Sequence, residues 1–290
     1  MTDFLRVRDL ADRLPDLVEV AHRAKADRNF GLGHLAGRQI GLFFELPSTR
    51  TRVSTEVAVR RLGGDPVVLS GSGLGVGTRE PANDVARVLD RLLDGLAARV
   101  TDHRTLEQLA RHGDIPVINL LSDLEHPCQA VADVATIAEH RPVADSVVAY
   151  VGDANNVATS LAWAVVALGG EMRIASPPGY GPDSRELPDG VIVLEDADEA
   201  VSGATAVYTD VWTSMGQEKE RSDRLEAFEG WTIDLARFRL AHDDAIFLHC
   251  LPAHRGEEVA TEVIEHPRSV VFDQAEYRLH SFTALLLELL

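Results

Sequence analysis

Cysteine is nearly absent from this chain: Cys128 and Cys250 are the only two in 290 residues, and no CxxC pair occurs. Neither a disulfide framework nor a thiolate zinc site is therefore indicated, and each thiol is expected to be a buried structural one. No apolar run reaches the roughly 18 residues of a membrane-spanning helix. The opening segment MTDFLRVRDLADRL mixes charged with apolar residues where a signal peptide would carry an apolar core. A cytoplasmic protein is expected. Positive charge is also short, with 28 basic against 46 acidic side chains and a formal net charge of -18. Such a field repels nucleic acid and anionic membrane surfaces. A small anion can be held against it only where arginines and backbone N–H groups are gathered locally. Two fingerprints are missing as well: the GxxxxGK[ST] loop of nucleotide phosphate transfer and the GxGxxG of dinucleotide binding.

What the chain does contain is apolar residues, 45% of the total, enough for two cores at roughly 150 residues per domain. Short Val- and Ile-rich runs alternate with helical spacing, the pattern of βαβ units in parallel sheets. Strands are predicted near 39–44, 66–69, 95–99, 116–119, 147–151, 171–175, 191–194, 205–209, 245–248 and 269–272. Helices are predicted over 51–61, 82–93, 103–112, 127–139, 157–168 and 274–289. The chain is thus read as α/β, with two parallel-sheet domains. The division falls around HRPVADS, residues 140–146, where a helical pattern meets a proline and a new strand begins. Domains of 1–140 and 141–273 result, with the apolar helix 274–290 returning to pack on the first.

Five segments could carry chemistry. In GLFFELPSTRTRVSTEVAVRRLGG a buried-strand pattern runs through a proline into Ser48, Thr49, Arg50, Thr51 and Arg52 and then a helix. A helix N-terminus offers open N–H groups and partial positive charge, so this is a phosphate site in outline; the plainer reading is a Ser/Thr cap followed by solvent-facing arginines. In LEHPCQAVADV, His126 and Gln129 share a face at i, i+3 and could donate hydrogen bonds to a carbonyl oxygen, although a lone His is more often a capping or core residue. No second ligand stands near it at zinc-like spacing. GDANN, residues 152–156, follows a strand at the position where open α/β sheets bind ligands; its Asn155 and Asn156 suit either a polar ligand or the turn itself. Asp210 and Ser214 in TAVYTDVWTSMGQE pair a carboxylate with a hydroxyl, suited to an ammonium group. In AIFLHCLPAHRGEE, adjacent strand residues face opposite ways, which leaves His249 badly placed to activate Cys250.

Taken in order, STRTR, HPCQ, GDANN, DVWTSMG and HCLPAHRGEE resemble the ornithine carbamoyltransferase family over nearly the whole chain. The resemblance implies a carbamoyl-phosphate domain and an amino-acid domain, each an α/β sheet, assembled as a homotrimer or a multiple of trimers with active sites between subunits. It implies transfer of the carbamoyl group of carbamoyl phosphate to ornithine, giving citrulline, in arginine synthesis or breakdown, without metal or cofactor. Ser48, Thr49, Arg50 and Thr51 would hold phosphate with Arg99. His126, Gln129 and Arg99 would polarise the carbamoyl carbonyl, Cys250 and Leu251 would touch the carbamoyl group, and Arg278 would add a further contact. Asn156, Asp210, Ser214 and Met215 would bind ornithine, with Cys250 and Asp210 orienting or deprotonating its amine.

Departures from the family pattern are local. Gly75 stands where a glutamine usually reaches the neighbouring subunit's carbamoyl phosphate, Leu46 replaces a lysine and Thr55 a phenylalanine, with lesser changes at Thr101, Tyr277 and Thr283. One lost hydrogen bond to a charged ligand is worth about 1.5–3 kcal/mol, so weaker carbamoyl phosphate binding is expected. Two other readings use the same residues: a carbamoyltransferase for another amine, such as putrescine or a modified amino acid, and a catalytically weak paralogue with a binding role. A dinucleotide-dependent oxidoreductase is disfavoured by the missing glycine fingerprint.

Overall fold

The computed structural model describes residues 3–71, 75–76, 79–214 and 218–290. The chain divides into two compact units, one of residues 1–135 with 276–290, the other of 136–275. The division falls inside two helices, Pro127–His140 and Val271–Leu289.

The first unit is built on strands β1 (Gln39–Phe44), β2 (Asp65–Ser70), β3 (Gly95–Arg99) and β4 (Val117–Leu121), all parallel, in the order β2-β1-β3-β4. β1 and β3 are buried almost throughout, as expected of central strands covered on both faces. The helices are α1 (Leu14–Ala26), α2 (Thr49–Arg61), α3 (Ala82–Leu89), α4 (His103–His112) and the start of α5 (Pro127–His140). α3 ends four residues before the predicted limit. The carboxylate of Asp90 just beyond it accepts from the N–H groups of Asp114 and Ile115, tying down the turn ahead of β4. Phe43, Leu96, Ala98, Leu106 and Val117 lie in one core cluster.

The second unit has β5 (Val147–Val151), β6 (Glu171–Ala175), β7 (Ile192–Leu194), β8 (Ala206–Thr209) and β9 (Ile246–His249), again parallel, in the order β7-β6-β5-β8-β9. Its longer helices are α6 (Asn156–Ala167) and the first turns of α11 (Val271–Leu289); the short α7 (Ala197–Val201), α8 (Arg221–Ala227), α9 (Leu235–Phe238) and α10 (Thr261–Ile264) lie between. Val151, Val207, Phe238, Phe247 and Val263 share its core.

The strand predicted at 269–272 is not one. Ser269 makes a single bridge to Phe247, and the chain enters α11 at Val271. A short apolar run, here Val270, Val271 and Phe272, fits a strand or the first turn of a helix equally well.

In both sheets the direction of chain progression reverses at one place, between β1 and β3 in the first and between β5 and β8 in the second. The carboxyl ends of strands at such a switch point form the crevice where open α/β sheets take ligands. STRTR and Arg99 stand at the first switch point. GDANN and Asp210 stand at the second.

Candidate active site

At the first switch point β1 leads through ELPS into α2. Ser48 occupies the N-cap position in extended conformation, yet its hydroxyl makes no capping bond, so the first turn presents its N–H groups and the positive end of the helix dipole. Arg50 is half-buried, Thr51 is buried, and Arg52 turns to solvent and pairs with Glu56 at 2.8 Å. Thr55, where the family has phenylalanine, fits by donating its hydroxyl to the Thr51 carbonyl at 2.8 Å.

Arg278 reaches this turn from α11. Its guanidinium is 5% exposed and forks, one nitrogen donating to Thr51 Oγ1 at 3.1 Å and the other to Gln129 Oε1. The Gln129 amide nitrogen donates to Asp133 Oδ1 at 2.7 Å, one helical turn along α5. Asp133 is fully buried. The two contacts fix the orientation of the amide, with oxygen towards Arg278 and nitrogen towards Asp133. His126 lies just ahead of α5. Burial, and then the cations Arg278 and Arg99, hold its pKa well below the usual histidine value, so the imidazole is neutral at pH 7. Arg99 closes β3 at a register shift between Ala98 and Arg99, and such irregularities re-aim side chains at strand ends. Thr51, Arg99, His126, Gln129 and Arg278, five of the predicted residues, are thus brought together within one unit.

Cys128 lies beside this group. Its thiol donates to the Asn119 carbonyl at 3.2 Å, and burial pushes its pKa up to about 12. Cys250 departs from the expectation of burial, being only partly buried. A thiol reagent at pH 8 is expected to modify one cysteine per native chain, Cys250; peptide mapping that finds Cys128 labelled first would contradict this.

At the second switch point Asp210 follows β8, is 5% exposed, and accepts from Cys250 Sγ at 3.0 Å and from Asn155 Nδ2 at 2.9 Å. Asn155 also caps α6, its Oδ1 accepting from Val157 and Ala158 N–H groups. Of the two asparagines, then, Asn155 contacts Asp210 and builds the turn, while Asn156 is the first helical residue. Gly152 has φ +141, a backbone conformation that L side chains rarely adopt, so glycine lets the chain leave β5 into the GDANN turn. Ser214 is half-buried; Met215 lies outside the described residues.

His249 brings a ring nitrogen within 4.8 Å of Cys250 Sγ, but both ring nitrogens have hydrogen-bond partners of their own. Its Nδ1 accepts from the Leu251 N–H at 2.8 Å, so the ring N–H is on Nε2 and donates to Glu258 Oε1 at 3.2 Å. Leu251 itself has φ +58, a left-handed conformation uncommon for leucine. Among the described residues two groups have metal-ligating atoms within 4.8 Å of one another: Asp210, His249 and Cys250, and His254, Glu257 and Glu258. Both are already tied into hydrogen bonds and ion pairs, the second through Glu258 to His249 and Glu257 to Arg221.

A family model described as aspartate/ornithine carbamoyltransferase, carbamoyl-P binding domain, matches residues 2–139, and one described as aspartate/ornithine carbamoyltransferase, Asp/Orn binding domain, matches 144–289. The chain belongs to the aspartate/ornithine carbamoyltransferase family. Among relatives of this family, an ornithine carbamoyltransferase of Thermus thermophilus is 48% identical over 279 residues, 96% of this chain and 92% of the relative. One of Archaeoglobus fulgidus is 44% identical over 300 residues, 100% of this chain and 98% of the relative. The crystal structure of an ornithine carbamoyltransferase from Thermus thermophilus has a TM-score of 0.93 at 43% identity, covering 100% of this chain and 99% of that one.

Against the family pattern, Gly75 has φ +56. A glutamine in that conformation costs about 1–2 kcal/mol, so the backbone here is suited to the glycine it carries. Sequence reasoning passed over Asp133 and Glu258. The first had a signal, its i+4 spacing from Gln129 on a helical pattern. Glu258 had none, because nothing in HRGEE separates a buried acid from an exposed one.

Proposed function

We propose that this protein is an ornithine carbamoyltransferase, converting carbamoyl phosphate and L-ornithine to L-citrulline and phosphate. The observation that carries the reading is the arginine fork of Arg278 between Thr51 and Gln129, beside a histidine kept neutral by burial and two cations, at the switch point of a parallel sheet.

The chemistry follows from charge. The δ-amine of ornithine, as the free base, attacks the carbamoyl carbon; the new C–N bond forms, the C–O bond to phosphate breaks, and phosphate departs with the electron pair and takes up the proton shed by the attacking nitrogen. Ser48, Thr49, Arg50 and Thr51 hold the leaving phosphate on the open end of α2. Arg99 and the neutral His126 stabilise negative charge growing on the carbonyl oxygen. The orientation of Gln129 revises its expected part: Oε1 has a second lone pair with which to accept an N–H of the carbamoyl group, whereas donation to the carbonyl was anticipated. Leu251 at the turn beside Cys250 lines the carbamoyl group. In the second unit Asp210, Ser214, Asn156 and Met215 hold the amino acid. Donors fixed before the reaction stabilise the transition state more than the ground state, and no covalent intermediate is required. A homotrimer in the cytoplasm, acting in arginine metabolism, completes the reading.

Citrulline formation by the purified protein tests it, with phosphate release compared for ornithine, putrescine, acetylornithine and aspartate. No citrulline, or faster release with another amine, would overturn it. Cys250→Ala is expected to lower kcat about tenfold or more and to alter the basic side of the pH profile, since the thiol bonded to Asp210 orients the amine. An unchanged rate and profile would remove Cys250 from that role.

A further inference from the structure

Arg224 is a cation that the proposed chemistry does not use. It lies on α8, is 8% exposed, and is held from several sides. One guanidinium nitrogen donates to both Asp153 Oδ2 and the Trp212 carbonyl, each at 3.0 Å, and Nε donates to Glu220 at 3.2 Å. The guanidinium also lies 5.2 Å from the centroid of the Tyr180 ring. Asp153 belongs to the GDANN turn after β5, and Trp212 to the segment after β8. A single side chain therefore ties together the two loops of the second switch point, the same loops that carry Asn156, Asp210 and Ser214. The tie is braced by packing, because Trp212 stacks on Phe228 with centroids 5.1 Å apart and planes 19° from parallel.

We propose that Arg224 is a positioning residue for the amino-acid substrate, acting through Asp153 and Trp212, and that protonation of Asp153 releases it. This rests on the reading of the second unit as the ornithine site. Truncating one partner of a buried, hydrogen-bonded ion pair leaves the other charge uncompensated, so the loops cannot keep their spacing when either member is lost. The geometry is supported by the acid's titration: burial pushes the Asp153 carboxyl up to about 6, while Arg224 opposes the rise and Asp210 and Glu220 add to it. The Tyr150 hydroxyl also faces this turn, donating to the Asp153 carbonyl at 2.9 Å. At pH 7.5 the acid is ionised and the tie is made. At pH 5.5 it is largely protonated, the attraction for Arg224 is lost, and the loops loosen.

The measurement is the ornithine KM of the intact enzyme from pH 5.5 to 8, for the wild type, Asp153→Asn and Arg224→Met. Arg224→Met and Asp153→Asn are expected to raise ornithine KM about tenfold at pH 7.5, with kcat and carbamoyl phosphate KM within about twofold of wild type. The wild-type KM should climb by a similar factor below about pH 6, and Asp153→Asn should lack that inflection. Protonation of ornithine itself affects all three proteins alike, so the ratio of variant to wild type isolates Asp153. Unchanged ornithine KM in both variants would overturn the proposal, including the case in which kcat alone falls, the signature of a smaller folded fraction. If Arg224→Met gives no cooperative melt, the wild-type inflection and its absence in the near-isosteric Asp153→Asn decide the matter. A wild type that makes no citrulline would fail the functional reading itself, before any variant is compared.

Discussion

Arg278→Met should lower kcat/KM for citrulline formation by about 10²- to 10³-fold, the loss usual when a preorganised charge-stabilising donor is removed. Methionine keeps much of the length and apolar bulk of the side chain, so the change is confined to the fork. It strands two buried partners, Thr51 Oγ1 and Gln129 Oε1, each at a cost of about 1–3 kcal/mol. Gln129 is then held only from the Asp133 side, and its amide is free to turn. The substitution also acts on His126. Burial is the largest cause of its lowered pKa, and Arg278 is the next. Without that cation the pKa rises, so the imidazole takes up a proton at a higher pH than in the wild type. The acidic limb of the kcat/KM profile therefore moves to higher pH. Arg278→Lys keeps the charge but not the planar fork and should recover only part of the activity, since a single ammonium group does not reproduce the two-armed geometry. A loss below about threefold with an unmoved acidic limb would show that Arg278 lies outside the reacting centre.

The two switch points were legible because each is announced locally. GLFFELPSTRT and VVAYVGDANN both run from a buried apolar strand into polar residues and then into helical spacing, and the position at a strand's carboxyl end follows from that order alone. Arg278 could be found only through family resemblance, for it arrives from a helix more than two hundred residues after Thr51, and no local pattern marks such a meeting. Asn155 and Asn156 show the limit of a motif: both side chains suit a ligand, and only the backbone of the turn decides that Asn155 caps α6 and bonds Asp210. Helix α1 was legible but unread, since Leu14, Leu17, Ala21 and Ala24 are its buried stripe at helical spacing. The run at 269–272 is ambiguous in principle: Val270 and Val271 are buried as a strand there would require, whereas Phe272 is 64% exposed.

Glu258→Ala is expected to destabilise the protein by about 3–5 kcal/mol, because it removes the acceptor of two buried hydrogen bonds, each worth about 1.5–3 kcal/mol to a charged group. At about 2–4 °C per kcal/mol for chains of this size, the midpoint of thermal unfolding should fall by roughly 10 °C. The carboxylate is fully buried and accepts from both His249 Nε2 and the His254 backbone N–H, the latter at 2.6 Å. Alanine leaves both donors without an acceptor, while Glu258→Gln keeps an oxygen in place and should cost less than half as much. The consequence extends to the Cys250 turn. A left-handed leucine costs about 1–2 kcal/mol and persists only where its surroundings hold it, and here the hold on Leu251 is the bond from its N–H to His249 Nδ1. The imidazole is kept in that orientation by Glu258, while the backbone of His249 is held by Gln274, which accepts from its main-chain N–H at 2.8 Å and donates to the Tyr208 hydroxyl at 3.2 Å. Loss of Glu258 frees the ring, relaxes Leu251, and lets Cys250 drift from Asp210. Citrulline formation at a temperature where the variant is still folded should therefore drop in kcat. Calorimetry placing Glu258→Ala within about 2 °C of wild type would show instead that the Leu251 turn stands without the histidine beneath it.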